Sequence, residues 1–122
     1  MGALSHEGLS SRVIGGFYEV YNDIGPGLPE AVYQRALCVA MAARGVQCSR
    51  EVRYEVRFRG VDVGSFRADL VVEGTLVVEI KCAERISKEH IRQVLYYLKA
   101  SGLRLALILN VGETPSFKRL VR

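Results

Sequence analysis

Along the first third of the chain, apolar residues recur at helical spacing. Val13, Phe17, Val20 and Ile24 stand three or four apart and define one stripe. They predict a helix from about Ser10 to Asn22, with Ser10 or Ser11 as its cap. Gly15-Gly16 lies inside this pattern and is expected to allow close packing against another element. Gly25-Pro26-Gly27 interrupts the chain, and Pro29 suits the first turn of a second helix. That helix is expected to reach Arg44, with Val32, Tyr33, Ala36, Leu37, Ala40 and Met41 inward, and Gly45 ends it in a left-handed conformation.

After Val46 the period changes from 3.6 to 2. Val52, Tyr54, Val56 and Phe58 alternate with Glu51, Arg53, Glu55 and Arg57, as in a half-buried strand with a charged outer face. Arg59-Gly60 marks a turn, and a short strand at Val61–Val63 precedes another at Phe66–Val72. Glu73-Gly74-Thr75 reads as a hairpin turn. Leu76–Cys82 is apolar enough to be a central strand covered on both faces. Ser87 caps a third helix to about Ala100, with Ile86 and Ile91 as a hydrophobic staple. Arg104–Asn110 is a further buried strand, and Phe117–Val121 a final short strand or helical turn. The order predicts an α/β sandwich on a mixed sheet, with a helical crossover leading into a parallel pairing.

Within this pattern, charge falls where it is costly. Strand alternation puts Phe66, Ala68, Leu70 and Val72 on one face, and Arg67, Asp69 and Val71 on the other. Pairing about the Glu73–Thr75 turn then brings Asp69 beside Glu79, with Lys81 two residues further along the same face. Two carboxylates in an apolar sheet repel each other and lose hydration. A divalent cation that prefers oxygen ligands resolves that cost, as Mg²⁺ does through one or two carboxylates. A lysine beside it can hold a phosphate oxygen or the attacking water, so the trio fits metal-assisted hydrolysis of a phosphodiester. An internal ion pair of Lys81 with Asp69 or Glu79 is the structural alternative.

Composition narrows the setting. The 122 residues are 49% hydrophobic and 25% charged, which suits one globular domain, 1–122, with 1–9 read as a tail. No run of about 18 apolar residues is present to cross a membrane, and MGALSHEGLSSR lacks the features of a secretory signal. These features lead to an expected cytoplasmic location. Cys38, Cys48 and Cys82 form no CxxC pair and are expected to be reduced, in or near the core. His6 and His90 are too few and too far apart for a histidine metal site. A net charge of +4 is compatible with a polyanionic partner.

Asp69, followed after nine residues by Glu79-Ile80-Lys81, resembles the D…(D/E)xK signature of the PD-(D/E)xK, restriction-endonuclease-like phosphodiesterases. Gly27-Leu28-Pro29-Glu30-Ala31-Val32-Tyr33 is similar to the GxxExxY motif of a family of small proteins in that superfamily. Gln93-Val94-Leu95-Tyr96-Tyr97 resembles the QxxxY motif of several of its nuclease branches. The proline that often precedes the first aspartate is replaced by Ala68.

The resemblance implies the αβββαβ core with a mixed central sheet flanked by helices. It implies Asp69, Glu79, Glu30 and the Ile80 carbonyl as metal ligands, and Lys81 as the group that polarises the nucleophilic water. It implies that Gln93 and Tyr97, on one helical face, bond to the site or to the nucleic-acid backbone. Arg67, Arg85, Lys88 and Arg92 flank the site and are candidates for phosphate contacts. Arg53 and Arg57 alternate with Glu51 and Glu55, as on a self-neutralised surface. The expectation is a Mg²⁺-dependent nuclease, with Mn²⁺ as a substitute, acting on DNA. A homodimer or partner is expected where both strands of a duplex are cut. The competing reading is a catalytically silent nucleic-acid-binding or scaffold module that keeps the fold.

Overall fold

The computed structural model describes residues 6–122. Its elements run α1 (His6–Ile24), α2 (Glu30–Ala43), β1 (Cys48–Phe58), β2 (Val61–Val72), β3 (Leu76–Lys81), α3 (Lys88–Ser101), β4 (Leu105–Val111) and β5 (Pro115–Val121). One five-stranded sheet holds them in the order β1-β2-β3-β4-β5. All neighbours are antiparallel except β3 and β4, which α3 joins in parallel. This is the mixed, helix-flanked sheet expected, with one strand added after the αβββαβ core.

The alternation along β3 and β4 builds two cores. Leu76, Val78, Ile80, Leu105, Leu107 and Leu109 pack with α1 and α2, whereas Val77, Ala106 and Ile108 pack with Val94 and Leu98 of α3. Burying these residues on both faces makes β3 and β4 the least exposed part of the molecule. Gly16 faces α2 closely, and a Cβ there would crowd Met41, Leu37 and Ala40. Gly15 has open space around it, so close packing accounts for only one of the two glycines.

Several boundaries differ from expectation. α1 begins at His6, so residues 6–9 are helix, not tail; residues 1–5 lie outside the described residues. Ser10 is therefore no cap: it sits buried in the helix and accepts a hydrogen bond from Arg119 Nε. Ile24, expected on the apolar stripe, is 41% exposed where α1 runs out. The two strands expected within Val61–Val72 are one continuous strand, because a single β-bulge near Val56/Arg57 absorbs the irregularity. The last element is a strand, and Cys82 is exposed because β3 ends at Lys81.

The cap of α3 is as expected and stronger. Ser87 Oγ accepts from His90 N, and His90 Nδ1 accepts from Ser87 N. Ile86 and Ile91 pack into the same cluster.

Candidate active site

The site forms where β2 and β3 part. Their ladder consists of Val72↔Leu76, Val71↔Val77 and Leu70↔Val78, and stops there. Beyond it, side chains replace the backbone pairing. Ile80 N donates to Asp69 Oδ2 at 2.8 Å, and Asp69 N donates to Glu79 Oε1 at 3.4 Å. The two acids are thus adjacent, as pairing about the turn predicts.

The faces of β2 need correction. Ala68 packs on the α3 side and Leu70 on the α1/α2 side, although simple alternation puts them together. Val71, expected beside Asp69 on the opposite face from Ala68, shares the α3-side core with it. β1 changes sides at the same level: Cys48 packs towards α1 and α2, Val52 and Tyr54 towards α3. Between them Glu51 has φ 53°, in the left-handed region that few non-glycine residues occupy. Asp69 lies at this change of face, at the mouth of the gap between β2 and β3.

Glu79 is 3% exposed. Burial, hydrogen bonding with Asp69 and the charge of Asp69 push its carboxyl up to about 9, and Lys81 offsets only part of this. With no cation bound, Glu79 carries a proton at neutral pH. Glu30, the first residue of α2, is raised in the same direction by partial burial, then by Asp69 and Glu51, with Lys81 opposing. The raised Glu30 group therefore feels the same site. Tyr97 is raised by burial and by Glu79 and Asp69, and its ring stacks on Phe66 with centroids 4.1 Å apart. Lys81 Nζ donates to Gln93 Oε1 at 2.9 Å, so α3 holds the lysine head. Lys81 is half-buried and in no ion pair among the described residues; Glu79 and Asp69 pair with each other instead.

The turn that presents Glu30 has its own logic. Gly27 has φ +105°, which suits glycine. Tyr33 Oη donates to Gly25 O at 2.7 Å and accepts from Leu28 N at 3.1 Å. The glycine, the acid and the tyrosine of the GxxExxY segment therefore serve one structure: a tied turn that starts α2 with a carboxylate.

The donor set suits a hard divalent cation. Asp69, Glu79 and Glu30 offer carboxylate oxygens. Ile80's carbonyl faces the same edge as its N–H, towards Asp69. Among the described residues, no three His, Cys, Asp or Glu side chains stand close enough together to hold a metal ion, so Glu30 does not close a three-acid cluster with Asp69 and Glu79. Arg67, Arg85, Lys88 and Arg92 are all exposed, in β2, in the loop after β3 and on α3. None makes an ion pair among the described residues.

Two residues of the surroundings escaped the sequence reading. Asn110, fully buried at the end of β4, accepts from Ala83 N at 3.0 Å and donates to Ala83 O at 2.9 Å. It fixes the chain just beyond Lys81. Gly112 completes that contact, since a Cβ there would lie 2.8 Å from Ala83 O. The signal was a single amide closing an apolar run. Past Lys81 a cleft of about 660 Å³ opens between the tied turn and the β3 and β4 ends, lined in part by Gly27, Leu28, Cys82, Glu84 and Glu113.

Among solved structures, the chain is similar to that titled "Crystal structure of SSO0001", at 16% identity and a TM-score of 0.55. The match covers 75% of this chain and 48% of that one, so this chain spans about half its length. The likeness is one of fold. A second similar structure is the Archaeoglobus fulgidus Hjc, a Holliday junction resolvase, at 18% identity and a TM-score of 0.43, covering 73% of this chain and 72% of that one. No curated protein matches the chain closely enough to count as a relative. Residues 7–120 match the PD-(D/E)XK nuclease superfamily, whose nucleases generally use divalent metal ions. With nearly its whole length matched, the chain belongs to the PD-(D/E)XK nuclease superfamily.

Proposed function

We propose that the protein is a Mg²⁺-dependent nuclease of the GxxExxY group that hydrolyses phosphodiester bonds in DNA. The observation that carries this reading is the acid pair Asp69–Glu79 at the open end of the β2–β3 ladder, beside the lysine that Gln93 holds. The tied turn around Glu30 supports the group assignment.

Asp69, Glu79 and the Ile80 carbonyl would hold the ion, with Glu30 reaching in from α2. When bound, Mg²⁺ supplies a Lewis acid and lowers the pKa of water near it. Lys81 orients the attacking water and balances charge developing on the phosphoryl oxygens. Gln93 sets the lysine head through its Oε1, and Tyr97, stacked on Phe66, lies within the electrostatic reach of the acids. Arg67, Arg85, Lys88 and Arg92 receive backbone phosphates, which sets a salt-dependent affinity. One chain carries one such site, so cutting both strands of a duplex needs a second copy or a partner.

The test is cleavage of single-stranded, duplex and branched DNA, and of RNA, with Mg²⁺ or Mn²⁺, by wild type, Asp69→Ala and Lys81→Ala. Metal-dependent cleavage lost in both variants is the expected result. Activity that survives both substitutions overturns the assignment. Salt-sensitive binding without cleavage by any form would leave the fold as a silent nucleic-acid module.

A further inference from the structure

Away from the site, β1 and β2 continue as a two-stranded arm. β3 pairs with β2 only from Leu70 onward, so among the described residues no third strand joins residues 50–69. Such ribbons are marginal alone. This one is anchored at its base by Tyr54 stacked on Phe66, and Phe66 on Tyr97 of α3. Towards the tip its apolar side chains face solvent: Phe58, Val61 and Val63 are 60%, 62% and 59% exposed. The bulge near Val56/Arg57 shifts the register so that Phe58 pairs with Val61.

Glu55 pairs with Arg53 and Arg57, as the alternation predicts, yet Arg59 and Arg67 leave the arm as a whole with a basic excess. Between Arg53 and Arg67 there are four arginines and two acids. Glu55 alone serves both Arg53, at 3.7 Å, and Arg57, at 2.9 Å. Asp62 Oδ1 accepts from Gly64 N. Arg53 and Arg67 are direct cross-strand partners, on the face away from Tyr54 and Phe66. Like charges so placed destabilise a strand pair. Arg67 has no acid to relieve it among the described residues. At the tip, the Arg59 guanidinium lies over the Phe58 ring, 4.9 Å from its centroid. An exposed ring beside a guanidinium suits a nucleic-acid base, and a cross-strand arginine pair suits phosphate.

Resting on the nucleic-acid reading above, we infer that the β1–β2 arm grips an unpaired nucleic-acid strand, with Arg53 and Arg67 on its phosphates and Phe58 stacked on a base. Asp69 lies two residues from Arg67 on the same strand, so the arm leads directly out of the cleavage site. From Asp69 to Val61 it extends roughly 26 Å. A strand with its reacting phosphate at the acids would therefore be held several nucleotides away.

The test measures binding of a fluorescein-labelled single-stranded oligonucleotide, as DNA and as RNA, and of the matching blunt duplex. Chelator is present, so cleavage plays no part. Wild type is expected to prefer the single strand of at least one of the two. Phe58→Ala should weaken that binding roughly 5- to 150-fold, the loss of one stacked base, and Phe58→Tyr should restore it. Arg53→Ala with Arg67→Ala should lower the slope of log affinity against log salt by about 1.4. Unchanged melting temperatures establish that the variants fold. Wild-type affinity in Phe58→Ala, an unchanged salt slope, or no binding by wild type would overturn the inference. So would a dimer that Phe58→Ala converts to monomer with binding intact. The cleavage assay decides the nuclease reading independently: cleavage with no effect of the arm variants on binding sinks the arm alone. Arm-dependent binding with no cleavage sinks the nuclease alone.

Discussion

The two ends of the β2–β3 hairpin differ in both backbone pairing and chemistry. At the turn, Glu73 and Gly74 both take positive φ, and Val72, Val71 and Leu70 pair with Leu76, Val77 and Val78 in a fully apolar ladder. At the other end the ladder stops and two acids take over its hydrogen bonds. The apolar end needs no partner beyond the two cores. The acidic end has given up backbone pairing and holds Glu79 in a state that only a proton or a cation relieves. Stability and chemistry thus occupy successive halves of one strand, Leu76–Val78 and Glu79–Lys81.

That separation can be attacked from either end. The largest expected effect is at the turn: Leu76→Ala should cost about 2–5 kcal/mol of stability, measured by denaturant unfolding. A smaller loss would show that the turn end is not the anchor. At the acidic end, Lys81→Ala should lower kcat for oligonucleotide cleavage roughly 100- to 1,000-fold, with unfolding little changed. A comparable loss of stability would mean the two ends are not separable. Just past the acids, Asn110→Ala leaves both polar groups of Ala83 without their partner. It should cost about 1–3 kcal/mol in the same unfolding experiment.

The subtlest effect is on pH. Glu79's folded pKa of about 9 lies above its ordinary 4.5. Between those values the folded chain binds more protons than the unfolded one, so stability falls as pH rises through that window and levels off above it. Glu79→Gln should flatten this fall in thermal unfolding across pH 5–9. A curve as steep as that of wild type would place the proton elsewhere.

Much of this was legible in the sequence. The change of period at Val46 located the sheet, and the unbroken apolar run from Leu76 marked its centre. Counting outward from the Glu73–Thr75 turn was enough to set Asp69 beside Glu79, because a hairpin register follows from its turn. The change of face at Glu51 and Asp69 was not legible. It depends on a backbone conformation at Glu51 that nothing in its side chain announces. Asn110 was hidden for a different reason: its partner is a backbone group 27 residues away, and no periodicity encodes that. The helix start at His6 was obscured by serines that resemble caps, one of which the fold buries instead.

The strand order has a kinetic corollary. Every strand lies next to its successor in the chain, so no pairing waits for a distant segment to thread between two others. Asp69 and Glu79, ten residues apart, can meet as soon as their hairpin closes, a microsecond-scale event for short hairpins. Gln93 and Tyr97 must wait for the longer crossover through α3, which closes at greater entropic cost. Refolding should therefore bring the carboxylates together before the lysine is held. Pulsed hydrogen exchange is expected to protect the amides of Val72–Val78 ahead of those in α3; simultaneous protection would contradict that order.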